Sequence, residues 1–311
     1  MGDTPAVRFP AGYRVGHATD RERRTGCTVI LPPPGTIAGV DVRGGAPGTR
    51  ETGVFTPGNL VSEIHGLLFT GGSAFGLAAS GGVTAWLRDR GIGFAVGPFR
   101  VPIVAAAVLF DLAVGDPEAF PDEKMGGAAC DAASDGDIPL GPVGAGTGAT
   151  VGKLYGIGRA ARGGVGAASL QLPGGETVAA VAAVNAFGDV VDPDTGRLLA
   201  GAGGGKPASA LSTRALLAED LSGSPLAGAS TTLVCVATTV PFEPGSLRRI
   251  AIEAHDGLAR AVRPAHSVVD GDVVFALAPA GALPPLLIRL RVGAAAAEVT
   301  ARAITAAVTA A

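Results

Sequence analysis

The apolar positions of this chain fall into short runs separated by turns rich in Gly, Pro and Asp. Runs of this length, with β-branched residues in them, predict strands. Tyr13–His17 and Gly26–Leu31 read as a strand pair around the charged turn Asp20–Arg24, and Pro32–Pro34 ends it. Further strands are predicted over residues 37–42, 64–70, 177–184 and 231–240, at the start of the apolar segment 101–112, and within 268–277. Three stretches carry helical spacing instead. One follows Gly71–Gly76, has Leu77, Val83, Trp86 and Leu87 on its apolar face, and stops at Gly91. A second, with Ser246 as its expected cap, places Ile250, Ala254, Leu258 and Ala261 together. The third is the Ala-rich stretch 285–310 with Ile288, Val292, Val299 and Ile304. Residues 115–142 read as a long loop with one short helix near 128–133, and 196–230 as an exposed linker in which a chain break is tolerated.

Composition narrows the class. Of 311 residues, 47% are hydrophobic and 16% charged, enough for a large core and for apolar surface between subunits. The net charge of −3, with no basic tract, argues against nucleic acid. Mean hydropathy is +0.40, yet a run such as Val101–Phe110 is too short for the roughly 20 residues of a spanning helix. Cys27, Cys130 and Cys235 are far apart and lack metal spacing, so reduced thiols and a cytoplasmic location are expected. Met1–Ala6 carries no signal-peptide pattern.

Candidate chemistry concentrates at a few junctions. Gly228-Ala229-Ser230-Thr231-Thr232 leads straight into an apolar strand. Threonines there simply suit a strand start. Alternatively, a cut before Thr231 gives it a free α-amine beside its own hydroxyl, a base and a nucleophile in one residue. The turn Gly71-Gly72-Ser73 either aims backbone N–H groups at an anion or permits close helix–strand packing. Gly144–Lys153 fails the phosphate-loop pattern, because Thr147 and Leu154 stand at required positions. It satisfies G-x-G-x-x-A, but no strand precedes it. Lys153, one of three lysines, is either a placed charge or a solvated loop residue. Asn185, one of two asparagines, either caps a turn or offers an amide to an oxyanion. Asp270 and Asp272 either solvate a turn or hold two carboxylates near a reacting centre. Arg43, Arg50 and Glu51 favour a surface ion network, and His255 a structural role.

Taken in order, Gly39–Glu51, Thr70–Leu77, Gly144–Lys153, Val184–Asp189, Thr231–Thr238, Ala254–Ala261 and Asp270-Gly271-Asp272 resemble one family along most of the chain. It is peptidase family S58: the DmpA-type L-aminopeptidase/D-esterases, the β-peptidyl aminopeptidases and the 6-aminohexanoate-oligomer hydrolases. The resemblance implies an α+β fold, a four-layer αββα sandwich of the N-terminal-nucleophile type. It implies a single domain that cuts itself between Ser230 and Thr231 into chains 1–230 and 231–311, which stay together within a homotetramer. Thr231 matches the nucleophile, and Lys153 and Asn185 match the polar residues around it. Asp270 and Asp272 match the acidic pair of the oligomer-hydrolase branch, where the serine-nucleophile branch has Ser and Glu. Backbone groups at Gly72 and Ser73 are expected near the oxyanion, and the acidic pair is expected to orient the amine and to attract a substrate amino group. The implied substrates are small peptides, amides or esters, with no cofactor, metal, nucleic acid or membrane. Rival readings are a self-processing acyltransferase of the ornithine-acetyltransferase type and a glycine-rich binding module that never cleaves.

Overall fold

A computed structural model describes residues 7–203, 212–219, 221 and 230–311. Two five-stranded sheets form its centre. Ten strands build them: β1 Arg14–Asp20, β2 Thr25–Leu31, β3 Thr36–Val42, β4 Thr49–Arg50, β5 Gly66–Thr70, β6 Val104–Val108, β7 Gly164–Gln171, β8 Thr177–Asn185, β9 Thr231–Thr238 and β10 Val273–Pro279. One sheet runs β1-β2-β5-β6-β4 and the other β7-β8-β9-β10-β3. Each is antiparallel except for one central parallel pair, β5–β6 in the first and β9–β10 in the second.

The apolar runs are explained by three buried layers. Val15, Ile30, Leu67 and Phe69 of the first sheet meet Ala179, Val181, Leu233, Cys235 and Phe275 of the second. The alternate residues of the second sheet, such as Val178, Val234, Val236 and Val274, face away from that layer. They pack on helices α4 (Leu247–Ala261) and α5 (Leu286–Thr309). The outer face of the first sheet, with Cys27, Val29, Leu68 and Ala106, packs on α1 (Ala79–Arg88) and α2 (Glu123–Asp131). Strands covered on both faces need no polar alternation, which is why their sequence reads as continuous apolar runs. The result is the expected αββα sandwich.

Several local expectations change. Val101 and Val104 belong to different strands: Val101 pairs with Phe94 in a separate hairpin, and Val104 opens β6. Ser246 precedes α4 but does not cap it; its hydroxyl donates to the Glu243 carbonyl at 2.7 Å. β7 has no counterpart in the sequence reading. Its glycines let α5 lie directly on the strand, since a Cβ at Gly166 would come 2.0 Å from the Ala303 carbonyl oxygen. Of the expected linker, a short helix α3 (Ser212–Ala218) is described, and most of 204–229 lies outside the described residues.

Candidate active site

The site forms where β8 and β9 end beside the loop that enters β10. Asn185, the last residue of β8, stands directly across the ladder from Thr231, the first of β9. Ser230 bridges to Asp270 in parallel register. Sheet registry thus brings Asn185, the Ser230–Thr231 pair and Asp270 together from three places far apart in sequence.

Around Ser230 and Thr231 the hydrogen bonds are specific. Thr231 Oγ1 donates to the Ser230 carbonyl oxygen at 2.6 Å. That oxygen also accepts the Gly271 N–H at 2.8 Å. Lys153 is buried and its Nζ donates to the Asn185 carbonyl at 2.7 Å and to Asn185 Oδ1 at 2.9 Å. It also lies 3.5 Å from Ser230 Oγ. Asn185 Oδ1 further accepts the Thr150 N–H, and its Nδ2 donates to the Phe110 carbonyl at 2.9 Å.

Both aspartates are buried and heavily bonded. Asp270 accepts from Phe187 N and from Ser267 N and Oγ. Asp272 accepts from Thr232 N at 2.7 Å through one oxygen, and from His266 N and Nδ1 through the other. These carboxylates therefore hold the loop and the start of β9 in place. Each carboxylate is thus held by three protein donors.

The turn 71–73 behaves differently from expectation. The Gly71 amide donates to Gly26 O, the Gly72 amide to Asp111 Oδ1 at 2.7 Å, and the Ser73 amide to Leu109 O. These N–H groups are engaged inside the fold, so an oxyanion role for Gly72 finds no support in the geometry. Ser73 does reach the site: with Ala46, Pro47, Gly48, Ala74, Val108 and Phe110 it lines a cavity of about 150 Å³ that opens on Ser230 and Thr231. Its φ of 53° keeps the turn in the left-handed region.

Electrostatics follow from burial. Burial brings the Lys153 ammonium down to about 7, against the opposing pull of Asp270, Asp111 and Asp272. Asp270 is raised by burial and then by its neighbour Asp272. Asp111 is pushed up to about 6 by burial, with the Gly72 N–H, Thr25 hydroxyl and Lys153 working against the rise. Among the described residues no group of three or more His, Cys, Asp or Glu side chains is placed to hold a metal ion. Nor is any described helix long and apolar enough to cross a membrane.

Three residues here were not picked out from sequence: Asp111, Gly271 and His266. Asp111 directly follows the apolar run 101–110, Gly271 separates the two aspartates, and His266-Ser267 stands just before them. Of the residues left open, Arg43 pairs with Asp41, Arg50 reaches Ser80 Oγ, and His255 is buried against the Asp41 carbonyl. None of the three lines the cavity.

Residues 11–311 match Peptidase family S58. The chain belongs to peptidase family S58. It is 44% identical to an uncharacterized aminopeptidase of Mycobacterium tuberculosis over 323 aligned positions, covering 96% of this chain and 91% of the relative. It is 32% identical to a 6-aminohexanoate-oligomer endohydrolase of Kocuria sp., covering 88% of this chain and 75% of the relative. Two solved structures share the fold. The L-aminopeptidase D-Ala-esterase/amidase of Ochrobactrum anthropi, described as a variant of the Ntn hydrolase fold, superposes with a TM-score of 0.73 at 22% identity. It covers 98% of this chain and 88% of its own. A β-aminopeptidase of Burkholderia sp. gives 0.72 at 23% identity, with the same coverage. Family membership makes the chain a hydrolase of the peptidase type, and S58 is the family its motifs pointed to.

Proposed function

We propose that the chain is a self-processing N-terminal-nucleophile hydrolase with Thr231 as nucleophile. The observation that carries this reading is the Thr231 hydroxyl held 2.6 Å from the Ser230 carbonyl oxygen, with the Gly271 N–H on that same oxygen. In the precursor, Thr231 Oγ attacks the Ser230 carbonyl carbon. The peptide C–N bond breaks as the ester forms, and the Thr231 nitrogen takes up the proton. Water then hydrolyses the ester, leaving a Ser230 carboxylate and a free Thr231 amine. The Gly271 N–H, aimed at the carbonyl oxygen, stabilises the charge that develops there; one such donor is worth about 3 kcal/mol.

In the mature protein a substrate carbonyl takes the place of the Ser230 carbonyl. The Thr231 amine accepts the hydroxyl proton, Oγ attacks, the leaving amine or alcohol departs, and water releases the acyl group. An α-amine has an ordinary pKa of about 7.7–8.0. A cationic Lys153 nearby lowers it, and Asp270 and Asp272 raise it. Asn185, across the ladder from Thr231, is the side chain we assign to the oxyanion; its Nδ2, which donates to the Phe110 carbonyl here, has two hydrogens and would turn one of them to the substrate. Substrates are small aminoacyl or amino-oligomer amides, and esters of similar size, consistent with the small cavity. The names of the mycobacterial and Kocuria relatives favour hydrolysis over acyl transfer. The three buried free thiols suit a reducing cytoplasm. Exposed Leu286, Leu287 and Leu290 on α5 suit burial between copies in a homo-oligomer.

Intact mass and N-terminal sequencing test the reading. The expected products end at Ser230 and begin Thr-Thr-Leu-Val. Thr231→Ala is expected to remain one inactive chain, and Thr231→Ser to mature. Two chains from Thr231→Ala would overturn the assignment.

A further inference from the structure

His266 lies in the connection between α4 and β10, outside the set of residues assigned above to the chemistry. Its φ is 55°, in the left-handed region, where histidine is uncommon but found more often than most side chains. That backbone turn makes two donors converge: His266 N at 3.0 Å and Nδ1 at 2.8 Å both give hydrogen bonds to Asp272 Oδ2. The other oxygen of the same carboxylate accepts the Thr232 N–H at 2.7 Å. The imidazole is therefore two hydrogen bonds away from the peptide unit that joins Thr231 to Thr232. On its far side Nε2 has no hydrogen-bond partner among the described residues, and the contact is between rings. The ring packs edge-on against His255, with centroids 4.7 Å apart at 78°, and His255 Nε2 donates to the Asp41 carbonyl on β3 at 3.1 Å.

We propose that His266 is a positioning residue for the Thr231 nucleophile, acting through Asp272. The proposal rests on the reading of Thr231 given above. His266 does not touch the reacting atoms. It holds one oxygen of Asp272 so that the other meets the Thr232 amide, and this sets where β9 begins and where the Thr231 hydroxyl points. Without the ring donor, the carboxylate turns more freely and the start of β9 with it. A displacement of about 1 Å in a reacting group costs on the order of 100-fold in rate.

Two variants of the full chain separate the donor from the backbone. His266→Asn places its amide nitrogen near the position of Nδ1, and asparagine tolerates the left-handed region. His266→Gly tolerates that region better still and keeps the backbone N–H to Asp272, but carries no side-chain donor. The readout is the first-order rate of self-cleavage, followed by intact mass after a translation pulse; it needs no added substrate. Thermal unfolding of each variant reports folding separately. His266→Asn is expected to cleave within about threefold of wild type, and His266→Gly at least tenfold more slowly. Equal rates for wild type and His266→Gly overturn the proposal, and so does an Asn variant as slow as the Gly variant. If His266→Gly fails to fold, His266→Ala takes its place as the chain without a side-chain donor; if His266→Asn fails to fold, His266→Ser, a shorter donor, takes its place and is expected to fall between wild type and the donorless variant, and a rate at or below that variant's overturns the proposal. A wild-type chain that stays whole, or a Thr231→Ala chain that is cut, overturns the nucleophile reading instead, and this proposal with it.

Discussion

A Cβ placed on Gly271 would stand 2.7 Å from Thr231 Oγ1. The same atom would stand 2.7 Å from the Ala46 carbonyl oxygen, so it is confined on two sides. Gly271 is thus the residue that lets the loop between the two aspartates press against the hydroxyl and deliver its N–H to Ser230 O at 2.8 Å. Gly271→Ala is expected to fold, because the crowding is local, but to slow self-cleavage about 100-fold or more by displacing the hydroxyl. Time-resolved intact mass checks this. A variant that matures at the wild-type rate would show that the close approach is not needed.

Lys153 gives a pH prediction with a definite sign. Its ammonium sits at about 7 in the folded chain, against an ordinary value of 10.5. Between those values the unfolded chain binds a proton that the folded chain does not. Stability from this group therefore rises with pH across that window, by up to about 1.4 kcal/mol per pH unit. Lys153→Met is expected to lose this slope between pH 7 and 9, as read by urea unfolding. The same variant removes both hydrogen bonds from Nζ to Asn185, so its self-cleavage is expected to slow at least tenfold. Parallel stability curves for the two proteins would refute the first expectation.

Asp111 works in the opposite direction. Its carboxyl is raised to about 6 from an ordinary 3.8. In that window the folded chain holds the extra proton, so stability from this group is greatest at the acid end and falls as pH rises toward 6. Asp111→Asn keeps an acceptor for the Gly72 N–H and a polar partner for the Thr25 hydroxyl. It is expected to flatten that fall and to gain on the order of 1–3 kcal/mol over wild type at pH 7 relative to pH 4. Thermal unfolding at pH 4, 5, 6 and 7 tests it; a constant difference across the series would contradict it.

Much of this molecule is legible in the order of its residues, for identifiable reasons. β9 announces itself because both its faces are buried and its stretch Leu233–Ala237 is apolar without a break. Lys153, Asn185, Asp270 and Asp272 stand out because each is polar within apolar or glycine-rich sequence, but that pattern leaves a structural role equally open, and only the resemblance to the family proposes them for the site. What could not be read is the partnering. The Gly72 amide looks available in sequence, but its acceptor, Asp111, lies 39 residues away and only the parallel pairing of β5 with β6 brings the two together. His266 carries no spacing signal at all, since its contact with Asp272 depends on a left-handed backbone. β7 was invisible for a related reason: its contacts with α5 are made by backbone, and small residues leave no periodic pattern.

That backbone contact is itself testable. At Gly166 an added Cβ would meet Ala303 O at 2.0 Å and Ala307 N at 2.4 Å, both belonging to α5. Neither atom can move alone, because each is part of the helix backbone, so α5 would have to shift as a body. The helix also packs Val292, Ala296, Val299 and Ile304 into the layer against β8 and β9, and a shift would loosen those contacts as well. Gly166→Ala is therefore expected to destabilise the fold by about 1–3 kcal/mol, the range for overpacking a well-filled core. Gly127 offers the matched control, because it is also a glycine in a regular element but has nothing within 4 Å of an added Cβ. In the helix α2, Gly127→Ala is expected to stabilise by roughly 0.5–1 kcal/mol, since alanine favours helix over glycine. Chemical denaturation of the two variants should move their midpoints in opposite directions, and a Gly166→Ala protein as stable as wild type would mean that α5 does not lie on β7 as closely as described.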